Sequence, residues 1–398
     1  MKTTTKCDVL IVGAGVVGIS AGIALLEANP ALKVIIAEKE NRLAMHASGR
    51  NSGVVHAGFY YSPDSLKARF CRDGNVAIRK LAKKYSVPVR ETGKIVVAKD
   101  EDENLRLDDL FNRGIKNKVE IELQEVSKLK TLEPLAITHE RFLWSPTTAV
   151  SSPIEILNAM CKEFESLGGK IEYNAKIQLD DFNGEIIDST GAFTASLFIN
   201  AAGAQSDRVS RFIGIGEEYA MLPFMGLYRA TNASNLPIRR LIYPVPHPIN
   251  PFLGVHFTLT LDNKIKIGPT AIPVAGREQY SLRNAWSLSD ILQSLKGARS
   301  LISKDEHDVG ALIKMELPNI LKSNLVKKSI ELVPSAGNIN KWIKHPPGIR
   351  AQLVHLPTGR LEQDFVIKRF SNSIHVLNMV SPGWTCSIPF GKYLVSTL

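Results

Sequence analysis

The run Val9-Leu10-Ile11-Val12 leads straight into Gly13-Ala14-Gly15-Val16-Val17-Gly18, and a second apolar run, Val34-Ile35-Ile36-Ala37, ends at Glu38. This order of strand, glycine turn, helix, strand and acid commits the opening of the chain to a βαβ unit with a ligand at its first turn. Gly13 permits the tight turn out of the strand, Gly15 lets the backbone approach a pyrophosphate, and Gly18 lets the helix lie close to the sheet. The first amides of the helix face the phosphates with the positive end of the helix dipole. Glu38 suits both ribose hydroxyls, whereas a 2'-phosphate there would meet its negative charge, which disfavours NADP. The competing reading is a glycine-rich turn in an ordinary domain.

A chain of 398 residues exceeds one ordinary core, so two domains are expected. Its 44% apolar and 22% charged composition describes a globular protein rather than a disordered one. No apolar run is long enough to span a bilayer, and the stretch after Met1-Lys2-Thr3-Thr4-Thr5-Lys6 breaks at Gly13. A cytoplasmic protein without a targeting segment is expected. Cys7, Cys71, Cys161 and Cys386 are scattered, with no CxxC pair, which points to reduced thiols and no metal site. The net charge of +10 is spread thinly and lacks interleaved aromatic residues, so nucleic acid is not an expected partner. A basic surface attracts anionic substrates or an anionic membrane face, which allows a peripheral contact with the inner membrane surface. A generally basic, solvated surface is the simpler alternative.

The helix after the glycine turn is expected from about Gly15 to Ala28, stopped at Asn29-Pro30. A glycine- and serine-rich loop, 46–62, leads to a helix near 64–85, with Ser62 and Pro63 at its start. Lys94–Val97 reads as a strand, 100–130 as helix-compatible, and Ser152-Pro153 opens a helix from Ile154 to Leu167. Lys170–Tyr173 alternates as a strand, and Asn183-Gly184 and Thr190-Gly191 signal turns of an antiparallel meander. Ser196–Asn200 reads as a buried parallel strand running into Ala201-Ala202-Gly203. Proline-broken strands, then helices over 284–303 and 305–332, precede a buried strand at Ser373–Asn378 and a terminal helix after Ser381-Pro382-Gly383. The expected fold is α/β: a Rossmann-type domain of parallel sheet, helices and a meander, plus a second α+β substrate domain of mostly antiparallel sheet. The first would comprise 1–86, 145–205 and 341–398, the second 87–144 and 206–340.

The segment Ser48-Gly49-Arg50-Asn51-Ser52-Gly53-Val54-Val55-His56-Ala57-Gly58-Phe59-Tyr60-Tyr61 resembles the flavin-dependent L-2-hydroxyglutarate dehydrogenases and oxidases. These belong to the wider D-amino-acid-oxidase or glycine-oxidase type of FAD protein. The resemblance continues in Pro63–Ala68, Tyr243–Pro246, Pro251–His256, Gly268-Pro269, Gly348–Gln352 and Ser381-Pro382. It implies FAD, with the adenine end in the glycine-turn domain and the isoalloxazine between the domains. It also implies oxidation of a 2-hydroxy acid to the 2-oxo acid by hydride transfer to flavin N5, with oxygen, a quinone or an electron-transfer carrier accepting the electrons. An amino-acid or amine oxidase of the same fold and a non-catalytic flavin carrier are the alternatives. Two positions depart from the family: Met225 and Leu227 stand where it has Arg and an acid, and Thr258–Leu261 lacks its Arg.

Such chemistry needs a cation for the substrate carboxylate, a base for the hydroxyl proton and an oriented stack on the ring. Arg350 is the carboxylate clamp, because its planar fork binds bidentately. His56 is the leading base, with a backbone-bonded structural histidine as its alternative. His256 is a second base candidate, and Tyr61 or its neighbour Tyr60 is placed to donate to the carboxylate. Cofactor contacts are expected from Gly13, Gly15, Gly18, Glu38, Lys39, Asn51, Ser52, Gly203, Gly348, Gly383, Trp384 and Thr385. Asn51 and Ser52 have turn-capping as their alternative, and Trp384 simple core packing.

Overall fold

The computed structural model describes residues 4–181, 185–188, 192–248, 250, 253–281, 287–304 and 309–398. In chain order, the elements that position the site begin with β1 (Thr4–Val12), α1 (Val16–Ala28), β2 (Val34–Ala37), α2 (Leu66–Lys84) and β3 (Lys94–Val97). Next come α3 (Pro153–Ser166), β4 (Lys170–Glu172), β5 (Ala192–Asn200), β6 (Tyr219–Asn232), β7 (Leu241–Pro244) and β8 (His256–Leu259). The last are β9 (Lys264–Gly268), α4 (Leu288–Lys304), β10 (Ile343–His355), β11 (Ser373–Asn378) and α5 (Gly383–Ser396).

The first sheet has eight strands. Its parallel core runs β11, β5, β1, β2, β4, so the carboxyl ends of these strands share one edge. The glycine turn after β1, Ala201-Ala202-Gly203 after β5 and the Ser381–Gly383 loop after β11 all leave from that edge. This is where open α/β sheets bind ligands. Helix α1 is apolar all round because it is buried all round: Ile19, Ala21, Leu25 and Leu26 face the sheet, α3 and α5. The expected turns at Asn183-Gly184 and Thr190-Gly191, and Pro251-Phe252, lie outside the described residues.

The second sheet has ten strands. Its central order is β10, β6, β9, β8, β7, β3; neighbours are antiparallel except β7 and β3. Strict alternation in His256-Phe257-Thr258-Leu259 and Lys264-Ile265-Lys266-Ile267 divides its faces. Phe257, Leu259, Ile265 and Ile267 enter the core with Ile242 and Ile95. The opposite face carries His256, Thr258 and Lys266, and all three are buried as well.

Three expectations need correction. Helix α2 starts at Leu66, not at Pro63. Ser65 Oγ accepts from Ala68 N, and the carboxylate of Asp364 accepts from Leu66 N and Lys67 N. That second cap comes from the far end of the chain and is invisible locally. Residues 343–361 hydrogen-bond into the second sheet through β10, whereas the sequence reading grouped them with the first. The helix expected over 305–332 is interrupted: Val309–Glu316 and Lys322–Ile330 are separate helices joined by a 3-10 turn at Leu317–Ile320.

Helix α5 locks the first lobe by lying directly on α1. A Cβ built on Gly391 would fall 2.5 Å from the carbonyl carbon of Ser20 and 2.6 Å from its oxygen, both backbone atoms that cannot give way. Gly391→Val should therefore cost about 3 kcal/mol, the upper end of overpacking penalties. The midpoint of urea unfolding reads this, and an unchanged midpoint would show that the two helices do not meet at this glycine.

Candidate active site

At the edge of the first sheet, Gly13 has φ +103°, and a Cβ there would lie 2.6 Å from Ala201 O. A Cβ on Gly18 would lie 2.0 Å from Gly13 O, so the turn and helix close on each other only without side chains. Glu38 reaches back to this turn: Ala14 N donates to its Oε2 at 2.8 Å and Glu40 N to its Oε1 at 3.0 Å. Ser48, which sequence reasoning did not single out, accepts from Val16 N at 3.1 Å in the first turn of α1. Its hydroxyl lies where a phosphate oxygen would be expected at a helix N-terminus, which was its available signal.

Three expected cofactor contacts are engaged otherwise. Lys39 Nζ bonds Glu40 Oε1 at 2.7 Å and Glu278 Oε1 at 2.8 Å, within a cluster that includes His46. The Asn51 amide donates to Ala47 O and Ser48 O and accepts from Gly53 N, so its side chain shapes the loop. Ser52 Oγ accepts from Val54 N at 3.4 Å, the turn-capping alternative. Gly203 has φ +58° and open space at its Cβ position, consistent with a loop that turns beside the ligand edge.

His56 sits where the two sheets meet, and its main chain is clamped from both helices that flank it. His56 N donates to Thr385 Oγ1 at the start of α5, and Asn75 Nδ2 of α2 donates to His56 O. Thr385 Oγ1 in turn donates to Val54 O, so its hydroxyl is fully occupied by the main chain. The imidazole Nδ1 lies 3.5 Å from Lys94 Nζ. Burial, then the charge of Lys94 and the proximity of His256, holds the His56 pKa well below the ordinary histidine value. His56 is thus neutral at pH 7.

Lys94 and Tyr243 were not assigned roles from sequence. Lys94 is fully buried, its Nζ 4.2 Å from the centre of the Tyr243 ring and 5.0 Å from that of Tyr60. Burial pushes its pKa down to about 7. His256 stacks on Tyr243 with ring centres 3.8 Å apart, and its Nδ1 pairs with Gly254 O at 2.7 Å. Burial drives its pKa down to about 3, which makes it a fixed neutral wall rather than a titrating base.

Arg350, on β10 opposite Phe224, donates from Nε to Gln352 Oε1 at 2.9 Å, and burial lowers its pKa to about 10. Tyr61 is close enough to sense its charge, as is Lys67, whose own pKa is driven to about 7 chiefly by burial. A Cβ on Gly348 would fall 2.6 Å from Arg50 O, so this strand presses against the loop at 50. Gly383 and Trp384 open α5 beside it, and the indole Nε1 of Trp384 is buried without a hydrogen-bond partner. Tyr60 Oη is orphaned in the same way. A cleft of about 790 Å³ opens between the loop 41–51 and Tyr228, Lys266 and His345 of the second sheet.

These features fit a flavin dinucleotide. The glycine cradle and Glu38 suit its adenosine diphosphate end, and the two orphaned donors lie near the seam where the resemblance seats the ring. The fold and this cradle define a nucleotide-binding oxidoreductase, and the chain belongs to the FAD dependent oxidoreductase (DAO) family, whose model matches residues 8–397. Its cofactor is FAD. The chain is 34% identical to an L-2-hydroxyglutarate dehydrogenase of Escherichia coli (strain K12), covering 98% of this chain and 92% of that protein. It is 36% identical to a mitochondrial L-2-hydroxyglutarate dehydrogenase of Caenorhabditis elegans, over 98% and 93% of the two chains. Among solved structures, the L-alpha-glycerophosphate oxidase of Mycoplasma pneumoniae shares the fold, with a TM-score of 0.77 at 23% identity over 98% and 94%.

Lys94 gives a test of the electrostatics. An unfolded lysine keeps its proton up to about pH 10.4, whereas folded Lys94 releases it near pH 7. Folding stability contributed through this residue therefore rises from pH 7 towards 10. Lys94→Met removes that dependence, so its stability relative to the parent should be greatest at pH 7 and shrink by pH 9.5. Urea unfolding at both pH values checks this; an equal difference at each would mean Lys94 titrates normally.

Proposed function

We propose that this protein oxidises a 2-hydroxy acid of the L-2-hydroxyglutarate kind to the corresponding 2-oxo acid. The observation that carries the reading is a clamped, buried and unprotonated His56, with Lys94 Nζ 3.5 Å from its Nδ1. Bound FAD would supply the hydride acceptor, flavin N5. Arg350 binds the substrate carboxylate through its planar fork, with Tyr61 beside it. His56 takes the hydroxyl proton on whichever ring nitrogen carries the lone pair of its neutral imidazole, beside Lys94. His256 and Tyr243 exclude water from that side and fix the imidazole environment. Gly13, Gly15, Gly18, Glu38 and Ser48 would hold the adenosine diphosphate end of FAD, and Gly383 and Thr385 would contribute main chain to the ring end.

Anaerobic mixing with hydroxy acids and amino acids tests the reading through the flavin absorbance. An L-2-hydroxy acid should bleach the flavin and amino acids should not; the reverse pattern would identify an amino-acid oxidase. His56→Ala should slow the bleaching by about 10²-fold or more. Arg350→Met should cost about 2–4 kcal/mol in substrate binding while leaving the flavin spectrum intact.

No described helix is long and apolar enough to cross a membrane. A peripheral contact has a specific candidate surface, however. Helix α4 exposes Leu288, Leu292, Leu295 and Ile302 along one side, and Ile313, Leu317 and Leu321 continue it. Exposed Lys296, Arg299, Lys314 and Lys322 flank this strip. Apolar residues rimmed by cations suit an anionic lipid surface. The protein should float with phosphatidylglycerol vesicles and not with phosphatidylcholine ones, and Leu292→Asp with Leu295→Asp should abolish flotation. Failure to bind the anionic vesicles at low salt would remove the membrane contact.

A further inference from the structure

Lys266 occupies a position where its sequence setting predicts a surface residue. It alternates with Ile265 and Ile267, both fully buried in the core, and so points to the opposite face of the sheet. That face is covered, leaving Lys266 only 4% exposed. Its Nζ lies 5.3 Å from the centre of the Tyr228 ring. Asp262, the acid whose charge acts on it, is itself held by Lys264 Nζ at 2.5 Å. Among the described residues Lys266 forms no ion pair. A buried ammonium without a carboxylate is an expensive arrangement unless a ligand supplies the anion.

The surroundings supply such a place. Lys266 lines the 790 Å³ cleft together with Tyr228 and His345, which face each other in register on β6 and β10. Arg50, Asn51 and Asn158 line the cleft as well. His345 is kept below the ordinary histidine pKa by burial and then by Lys266, so it adds a neutral hydrogen-bonding group. The register also bears on the two departures from the family pattern. Strand β9 lies between β6, which carries Met225, and β8, which carries Thr258 and Leu259. Lys266 pairs with Ala230 on one side and Thr258 on the other. Met225 is buried and apolar and Leu259 faces the core on the other side of the sheet, whereas Lys266 carries its charge on the Thr258 face.

We propose that Lys266, with Tyr228 and His345, forms a second anion subsite that receives the distal negative group of the substrate. This rests on the reading of the seam as a 2-hydroxy-acid site with Arg350 on the first carboxylate. It makes Lys266 a specificity-determining residue: substrates with a second anionic group, carboxylate or phosphate, are selected over simple monocarboxylates.

Titration calorimetry on the FAD-loaded protein tests this with ligands that cannot be oxidised. Glutarate should bind at least about tenfold more tightly than butyrate. Lys266→Met should remove that preference while leaving butyrate binding unchanged, and Lys266→Arg should largely retain it. Flavin content and thermal midpoint show that each variant is folded. 4-Phosphonobutyrate in place of glutarate distinguishes the sources of charge, and tighter binding of either supports the subsite by naming its anion. Equal affinity for glutarate and butyrate in the parent, or a loss with Lys266→Met that is the same for both, overturns the proposal. The measurement is independent of flavin bleaching, so the oxidation reading and the subsite fail separately.

Discussion

Burying lysines that form no direct ion pair among the described residues is the constraint around which this structure is organised. Moving the Lys94 pKa from 10.5 to about 7 corresponds to roughly 5 kcal/mol of lost stability at neutral pH. That is comparable with the whole net stability of a typical domain. Lys67 and Lys266 add further penalties of the same sign. Two large apolar clusters, one beneath each sheet, offset them. A methionine in any of these three places would fold better, so the cations are explained by what they do to a bound anion. They sit in a low-dielectric seam, where each is worth far more to such a ligand than on the surface.

Holding that seam closed falls to a few long-range bonds. Thr385, at the start of the last helix, ties both Val54 and His56. Asp364 caps the helix that carries Asn75, and Asn75 holds the carbonyl of His56. The main chain at His56 is thus positioned by Asn75, nearby in the chain, and by Asp364 and Thr385 from its far end. The parallel strands bring three loops to one edge, and these ties fix the His56 main chain between α2 and α5.

Local pattern carried the first lobe well, because its determinants are local. Strand Val34–Ala37, helix α1 and the cap at Ser152 follow from apolar period, glycine placement and capping residues within a few positions. Of the proposed site, Glu38, His56 and Arg350 are the residues that chemistry marks in the sequence. Lys94 and Lys266 were not legible in this way. In Lys-Ile-Lys-Ile a lysine alternating with isoleucine reads as the wet side of a half-buried strand. That side is dry only because another part of the chain covers it. Tyr243 and His256 beside Lys94 were the available hint, since aromatic and imidazole groups flanking a strand lysine suit a buried cation. Asn51 shows what a glycine-rich setting does not reveal: its amide is engaged by Ala47, Ser48 and Gly53 within the loop.

The same charges bear on which substrate the fold serves. An amine substrate gains a positive charge when protonated and would enter a proposed site that already holds Lys94 and Arg350. Like charges in a buried site are strongly unfavourable, and the neutral amine is the minor form near pH 7. A 2-hydroxy acid brings negative charge only, and each carboxylate it buries relieves a cation rather than adding to the cost. His56 completes the distinction. A hydroxyl needs a base to accept its proton as hydride leaves, and the proposed base, His56, is kept neutral by burial and then by Lys94. An amine oxidised as the free base needs no such group. The electrostatics of this seam therefore favour an anionic alcohol over an amine on two independent grounds, the sign of the field and the presence of the base.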